Sequence, residues 1–165
     1  MSETTLNIRP AETSDQDAMW DIFHEVIVDG DTWVFDANTP RSFAMDYWFH
    51  PGTRSYVAES DGRALGMYLL RPNQPGHGSH IANAGYMVSS KARGLGVGEA
   101  MGLHSIEEAR HQGFKAIQFN FVVSTNEAAV RLWKKIGFEI VGTLPGAFKH
   151  STLGYVDVFV MFRKL

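Results

Sequence analysis

The sequence predicts a mixed α/β domain, residues 1–165, with one central sheet of about seven strands flanked by about four helices. Three observations carry that prediction. Short apolar or alternating runs bounded by turn residues recur at 6–10, 54–60, 64–70, 82–88, 116–123, 138–144 and 155–162. Four amphipathic runs with helical spacing are interleaved with them, so the strands share their covering layers with helices. Hydrophobic residues make up 44% and charged residues 20%, an ordinary globular composition. A chain of this length forms one domain burying roughly 70% of its unfolded surface.

The elements follow in order. Leu6 and Ile8 alternate with Asn7 and Arg9 and stop at Pro10. Thr13, Ser14 and Asp15 supply N-cap candidates for a helix carrying Met19, Trp20, Ile22, Phe23, Val26 and Ile27, and Gly30 ends it. Segment 31–36 has the character of a loop yet holds two large aromatics. Trp33 and Phe35 either cover the core or wall a ligand pocket as a lid. A short helix spans 41–49, ending before Pro51. Residues 54–60 and 64–70 form a hairpin turning at Asp61 and Gly62. Residues 72–78 are a loop by composition. Asn83 falls on the next strand or at its irregular start. The helix after it carries Val97, Ala100, Met101, Leu103, Ile106 and Ala109, and stops at Gly113. The apolar strand 116–123 is interrupted by Asn120. Residues 124–127 open a helix over 128–136, closed by Gly137 in the left-handed cap position. Two last strands are joined by a loop containing Pro145 and Gly146.

The chain is organised around residues 88–98, V-S-S-K-A-R-G-L-G-V-G, between a strand and a helix. Such a turn aims several backbone N–H groups at one spot, at the positive end of the helix dipole. Glycine lets that backbone approach a bulky anion. Phosphate or pyrophosphate binding is the chemistry favoured there. A Walker A loop is excluded, because the turn ends Gly-Val-Gly-Glu. The G-x-G-x-G spacing, placed mid-chain, also departs from the dinucleotide fingerprint.

Composition removes other classes. With a net charge of −3 and dispersed basic residues, no nucleic-acid surface is expected. The chain has no cysteine, which excludes disulfides, thiolate metal sites and a cysteine nucleophile. The first residues lack a signal peptide's basic and apolar regions, and no apolar stretch could span a bilayer. A soluble cytoplasmic protein without membrane partners is therefore expected.

Two motifs together carry a family resemblance. V-x-x-x-x-R-G-x-G-x-G is followed, after a helix and a strand, by N-x-x-A-x-x-L-(aromatic)-x-x-x-G-F, here Asn126, Ala129, Leu132, Trp133, Gly137 and Phe138. This resembles the GCN5-related N-acetyltransferases (GNAT) over essentially the whole chain. The resemblance implies a splayed mixed sheet holding acetyl-CoA, without a metal, between the strand ending near Val88 and the strand containing Asn120. It implies that the backbone of Arg93, Gly94, Gly96, Val97 and Gly98 holds the pyrophosphate. Met87 and Val88 would pair with the pantetheine arm, and the Val88 N–H would polarise the thioester carbonyl. Asn126 would bond the cofactor, cap its helix, or do both. Trp133 would lie near the thiol end, and family analogy implies a homodimer.

The residues also depart from the family. Many members carry a glutamate on the strand before the Gly-rich turn, and this chain has none between Ser79 and Ser90. An aliphatic amine with a pKa near ~10 is deprotonated about one part in a thousand at neutral pH, so a proton must be removed. His80 either titrates usefully or is simply solvated, and the base stays unassigned. Trp133 stands where many relatives have a proton-donating tyrosine. An indole N–H donates a hydrogen bond without titrating. A thiol of pKa about 8.5 leaves tolerably as its thiolate, so turnover survives that change.

Asn83 and Asn120 are the candidates for binding, and so aligning, a small polar acceptor such as the carboxylate of an amino acid. For Asn120 the other reading is a core amide bonded to local backbone. The pattern is similar to the branches acetylating proline analogues and phosphinothricin-type amino acids, and implies a small amine acceptor. Three alternatives stand beside it: a protein N-terminal or lysine acetyltransferase, a non-catalytic acyl-CoA-binding regulator, and a nucleotide-binding module.

Overall fold

The computed structural model describes residues 5–165; the first four, on which the reading of the N-terminus partly rests, lie outside the described residues. In order, the elements are β1 (Asn7–Pro10), α1 (Gln16–Asp29), α2 (Arg41–Trp48), β2 (Arg54–Ser60), β3 (Arg63–Pro72) and β4 (Ile81–Val88). After the Gly-rich turn come α3 (Val97–His111), β5 (Ala116–Val123), α4 (Glu127–Lys135), β6 (Glu139–His150) and β7 (Gly154–Lys164). The seven strands form one sheet in the order β1-β2-β3-β4-β5-β7-β6.

Strand alternation sorts side chains onto two faces. On one face Tyr56, Tyr68, Leu70, Ala82 and Ala84 pack with Val97, Met101 and Ile106 of α3 and with Trp133 near the end of α4. On the other, Val57, Met67, Leu69 and Met87 pack beneath α1 and α2, against Met19, Phe23, Ile27, Ala44 and Trp48. The expected turn at Asp61 and Gly62 is present, with both residues at positive φ (51° and 72°), as a tight hairpin requires.

Sequence and structure differ at two strand ends. β3 continues past Leu70 to Pro72, pairing Arg71 with Asn83 on β4. The loop expected around Pro145 and Gly146 is instead an irregular part of β6, with a register shift between Leu144 and Phe148. Proline is tolerated there because β6 is the edge of the sheet. The Gly146 N–H donates to Asp157 Oδ1 at 2.9 Å, and the chain reverses later, between His150 and Gly154.

β4 and β5 are the sheet's parallel pair, and they stay together for only three registered pairs, ending at Asn83 and Gln118. Beyond these pairs the strands part, leaving a gap between two rows of backbone groups. That gap positions the site.

Candidate active site

A cavity of about 740 Å³ fills the gap and runs through the sheet, from the Gly-rich turn to the underside of α1 and α2. At its α3 end, Gly94 and Gly96 have positive φ (76° and 72°), and Gly96 caps α3. Arg93, Gly94, Gly96, Val97 and Gly98 all line the cavity. A Cβ on Gly98 would come within 3.4 Å of Leu132, so α4 packs close to the turn. Asn126 also lines the cavity, and its Oδ1 accepts the Ala129 N–H at 3.3 Å. The helix-cap reading is therefore present, on a residue that also faces the gap.

Along β4 the backbone alternates. Ser89 donates its N–H to Leu65 O on β3 at 2.9 Å, which commits the Met87 backbone to the β3 ladder as well. The N–H and C=O of Tyr86 and Val88 therefore point into the gap. The resemblance named Met87 beside Val88; in this register the backbone that faces the gap beside that of Val88 is Tyr86's, and the Met87 side chain sits in the core under α1. Trp133 lines the gap but is buried against Tyr86 and Phe119, with ring centroids 4.6 and 4.8 Å away.

The α1/α2 side of the gap is polar below and aromatic above. Asn83 donates to Gln118 O at 3.0 Å, pinning the strands where they part, and its Oδ1 has no partner among the described residues. Asn120 is exposed, because the splay carries it out of the core. Its Nδ2 donates to Asn73 Oδ1 at 2.7 Å, and its Oδ1 accepts Gln118 Nε2 at 3.0 Å. Arg71 faces the same space. Its guanidinium donates to Tyr47 Oη at 3.1 Å and lies 4.9 Å from the centre of that ring, with no carboxylate partner among the described residues. Sequence reading missed Arg71; its signal was parity with the buried Met67 and Leu69 on a strand that runs two residues past its expected end.

Trp33 forms the wall opposite. Its indole N–H donates to Tyr86 O at 3.2 Å, and its ring lies so close to Gly85 that a Cβ there would meet it at 2.7 Å. Phe35 does not line the cavity. It packs behind Trp33 against Phe23, Phe43 and Tyr47, and so belongs to the lid's own core.

The titratable side chains in the cavity wall are Glu25, Asp29, Asp31, Tyr47, Arg71, Tyr86, Arg93 and Glu99. The Ser90 N–H holds the Glu25 carboxyl below its usual range, through a 2.5 Å hydrogen bond. Burial pushes the Tyr86 phenol up, while its hydroxyl pairs with Ser105 Oγ at 2.6 Å. His80 lies outside the cavity, exposed just before β4.

The site is thus a sheet opened between parallel strands, with a Gly-rich turn at one end and a polar pocket at the other. The chain belongs to the acetyltransferase (GNAT) family, whose match covers residues 17–138. A solved GCN5-related N-acetyltransferase from Kribbella flavida is 43% identical, with a TM-score of 0.92 over 97% of this chain and 98% of that one. N-acetyltransferase aca1 of Schizosaccharomyces pombe is 30% identical over 79% of this chain and 71% of its own length. L-amino acid N-acetyltransferase AaaT of Escherichia coli is 29% identical over 94% and 96%. As a member of that family the protein is an N-acetyltransferase, and acetyl-CoA is bound in solved structures of the same fold from Salmonella typhimurium and Sinorhizobium meliloti.

Proposed function

We propose that this enzyme acetylates the amine of a small, amino-acid-like acceptor bound on the α1/α2 side of the gap. The observation that carries the reading is the convergence of Arg71, Asn83 and Asn120 beneath an aromatic wall. Arg71 is a fixed cation without an acidic partner among the described residues, suited to a carboxylate, which a guanidinium can hold through two parallel hydrogen bonds. The relative AaaT, by its name an L-amino acid N-acetyltransferase, points the same way.

The residues fit acetyl-CoA, whose thioester supplies an activated acetyl group when bound. The Gly-rich turn offers free N–H groups for its phosphates. The backbone of Tyr86 and Val88 faces the gap, with the Tyr86 carbonyl already accepting the Trp33 indole N–H, and the Val88 N–H is a donor for a carbonyl oxygen. On the acceptor side, Arg71 holds the carboxylate while the free Oδ1 of Asn83 accepts from the amine. Glu25, occupied by Ser90, and Tyr86, with its raised pKa, are poorly suited to take the amine's proton. That proton passes to water ordered by the amides of Asn83 and Asn120. The Trp133 indole contributes shape and leaves the thiol to depart as its thiolate.

The test is free-thiol release from acetyl-CoA across amino acids, proline analogues, phosphinothricin, methionine sulfone, polyamines and peptides, with an amine-free blank. Release with carboxylate-bearing small amines is the expected result. Release with peptides or polyamines alone overturns the reading.

A further inference from the structure

Asn120 reaches the cavity from the least supported part of β5. On one side, β4 leaves the strand after the pair Asn83–Gln118. On the other, the ladder to β7 passes from Phe119–Met161 to Val122–Phe159 through a register shift, and Asn120 lies within it. Irregularities of this kind re-aim a side chain beside a site. The direction of the Asn120 amide is set by two other side chains. Its Nδ2 donates to Asn73 Oδ1 at 2.7 Å, and its Oδ1 accepts Gln118 Nε2 at 3.0 Å. The two bonds agree. Turning the Asn120 amide over by itself would set oxygen against oxygen at Asn73 and N–H against N–H at Gln118.

Asn73 is well anchored for this task. It is the first residue past the end of β3, and its own N–H donates to Ile81 O at 2.8 Å, so the β3–β4 pairing extends to it. It is half-buried, and the cavity is lined by Asn120 but not by Asn73. Gln118 shares β5 with Asn120, whereas Asn73 ties Asn120 to the β3–β4 side of the gap.

We infer that Asn73 is a positioning residue for acetyl transfer, directing the Asn120 amide and through it the fit of the acceptor, which Asn73 itself does not touch. The inference rests on Asn120 serving the acceptor, as proposed above. With one Nδ2 hydrogen bound to Asn73 and one Oδ1 lone pair bound to Gln118, the amide keeps one donor and one lone pair in fixed places for the bound molecule or its water.

The test is a double-mutant cycle on Asn73→Ala and Asn120→Ala, with the amino acid that the wild type uses best. Alanine at position 73 keeps the bond to Ile81, which is made by backbone atoms. In the wild-type background Asn73→Ala should raise the KM of that amino acid about three- to tenfold, as for one lost hydrogen bond, with the acetyl-CoA Kd unchanged. In the Asn120→Ala background the same substitution should change KM by less than about twofold, because no amide is left to direct. An equal rise in both backgrounds, or a weakened acetyl-CoA Kd, marks Asn73 as structural and overturns the inference. A wild-type KM in Asn73→Ala beside a raised KM in Asn120→Ala overturns it too, and leaves the small-acceptor reading standing. Wild-type values in Asn120→Ala defeat the role given to Asn120, and the inference with it. Wild-type turnover of peptides or polyamines alone overturns both the inference and the small-acceptor reading.

Discussion

Arg71→Gln is the most direct probe of the acceptor side. The guanidinium is half-buried, held by the Tyr47 hydroxyl at 3.1 Å and by the face of its ring, and no carboxylate among the described residues pairs with it. A charge-assisted hydrogen bond to such a group contributes about 1.5–3 kcal/mol. Because the site opens to solvent, two bonds are not counted as twice one. Removing the clamp should therefore cost about 2–3 kcal/mol, or roughly a 30- to 160-fold loss in kcat/KM for a carboxylate acceptor. Glutamine keeps much of the side chain's length, so the loss reports charge more than packing. The assay follows disappearance of the thioester, with each amino acid compared against its amide and its decarboxylated amine. Wild-type enzyme should prefer the acid, and the variant should lose that preference while binding acetyl-CoA normally. Equal losses on all three acceptors would refute the reasoning, because a general loss means that Arg71 supports the fold.

Two further predictions concern the surroundings of the gap. Gly85→Ala places a methyl 2.7 Å from the Trp33 ring, backed by Trp48 and Phe35. Overpacking of this kind costs about 1–3 kcal/mol, and at about 2–4 °C per kcal/mol the melting temperature should fall by roughly 2–12 °C. Calorimetry checks this, and an unchanged Tm would mean that Trp33 moves freely. The second prediction is a pH dependence at His104. Burial lowers its pKa, and neutral Nδ1 accepts the Tyr68 hydroxyl at 2.7 Å, with Tyr56 and Glu108 alongside. A lowered folded pKa means that the unfolded chain binds the proton first. The contribution is therefore complete above the unfolded value of about 6.5 and declines as pH falls toward the folded value. Denaturant unfolding between pH 7.5 and 5.5 should show a shallower acid-side decline for His104→Gln than for wild type; identical slopes would remove His104 from the account.

Much of the fold was legible because local chemistry and tertiary placement agree. Asp61 and Gly62 both adopt the positive φ that a tight hairpin demands. Gly137, likewise at positive φ (99°), lets the Phe138 N–H close back on Trp133 O at 2.9 Å, ending α4 where the glycine predicted. Pro145 misled because its missing donor reads as a break, although an edge strand has an outward side where no donor is needed. β6 absorbs the proline in an irregular stretch, and the chain reverses at a turn closed by His150 and lacking proline.

The acceptor side was harder to read, because its residues gain meaning from a separation between strands that no periodicity encodes. In a closed sheet Asn120, between Phe119 and Phe121, would need partners in the core. Parting of β4 and β5 after Asn83 and Gln118 leaves it exposed, bonded to Asn73 and Gln118. The same parting turns the Tyr86 and Val88 backbone groups toward the gap, where the resemblance named Met87 and Val88, a difference set by which strand claims which face of the ladder. Phe35 and Trp33 lie two residues apart in an irregular segment, so alternation could not separate lid core from cavity wall. Gly85 does separate them: it is the position on β4 with room for an indole and none for a Cβ. Trp33 is thus fixed by an absence of side chain on the opposite strand, and a glycine inside a strand is a reason to ask which aromatic needs the space.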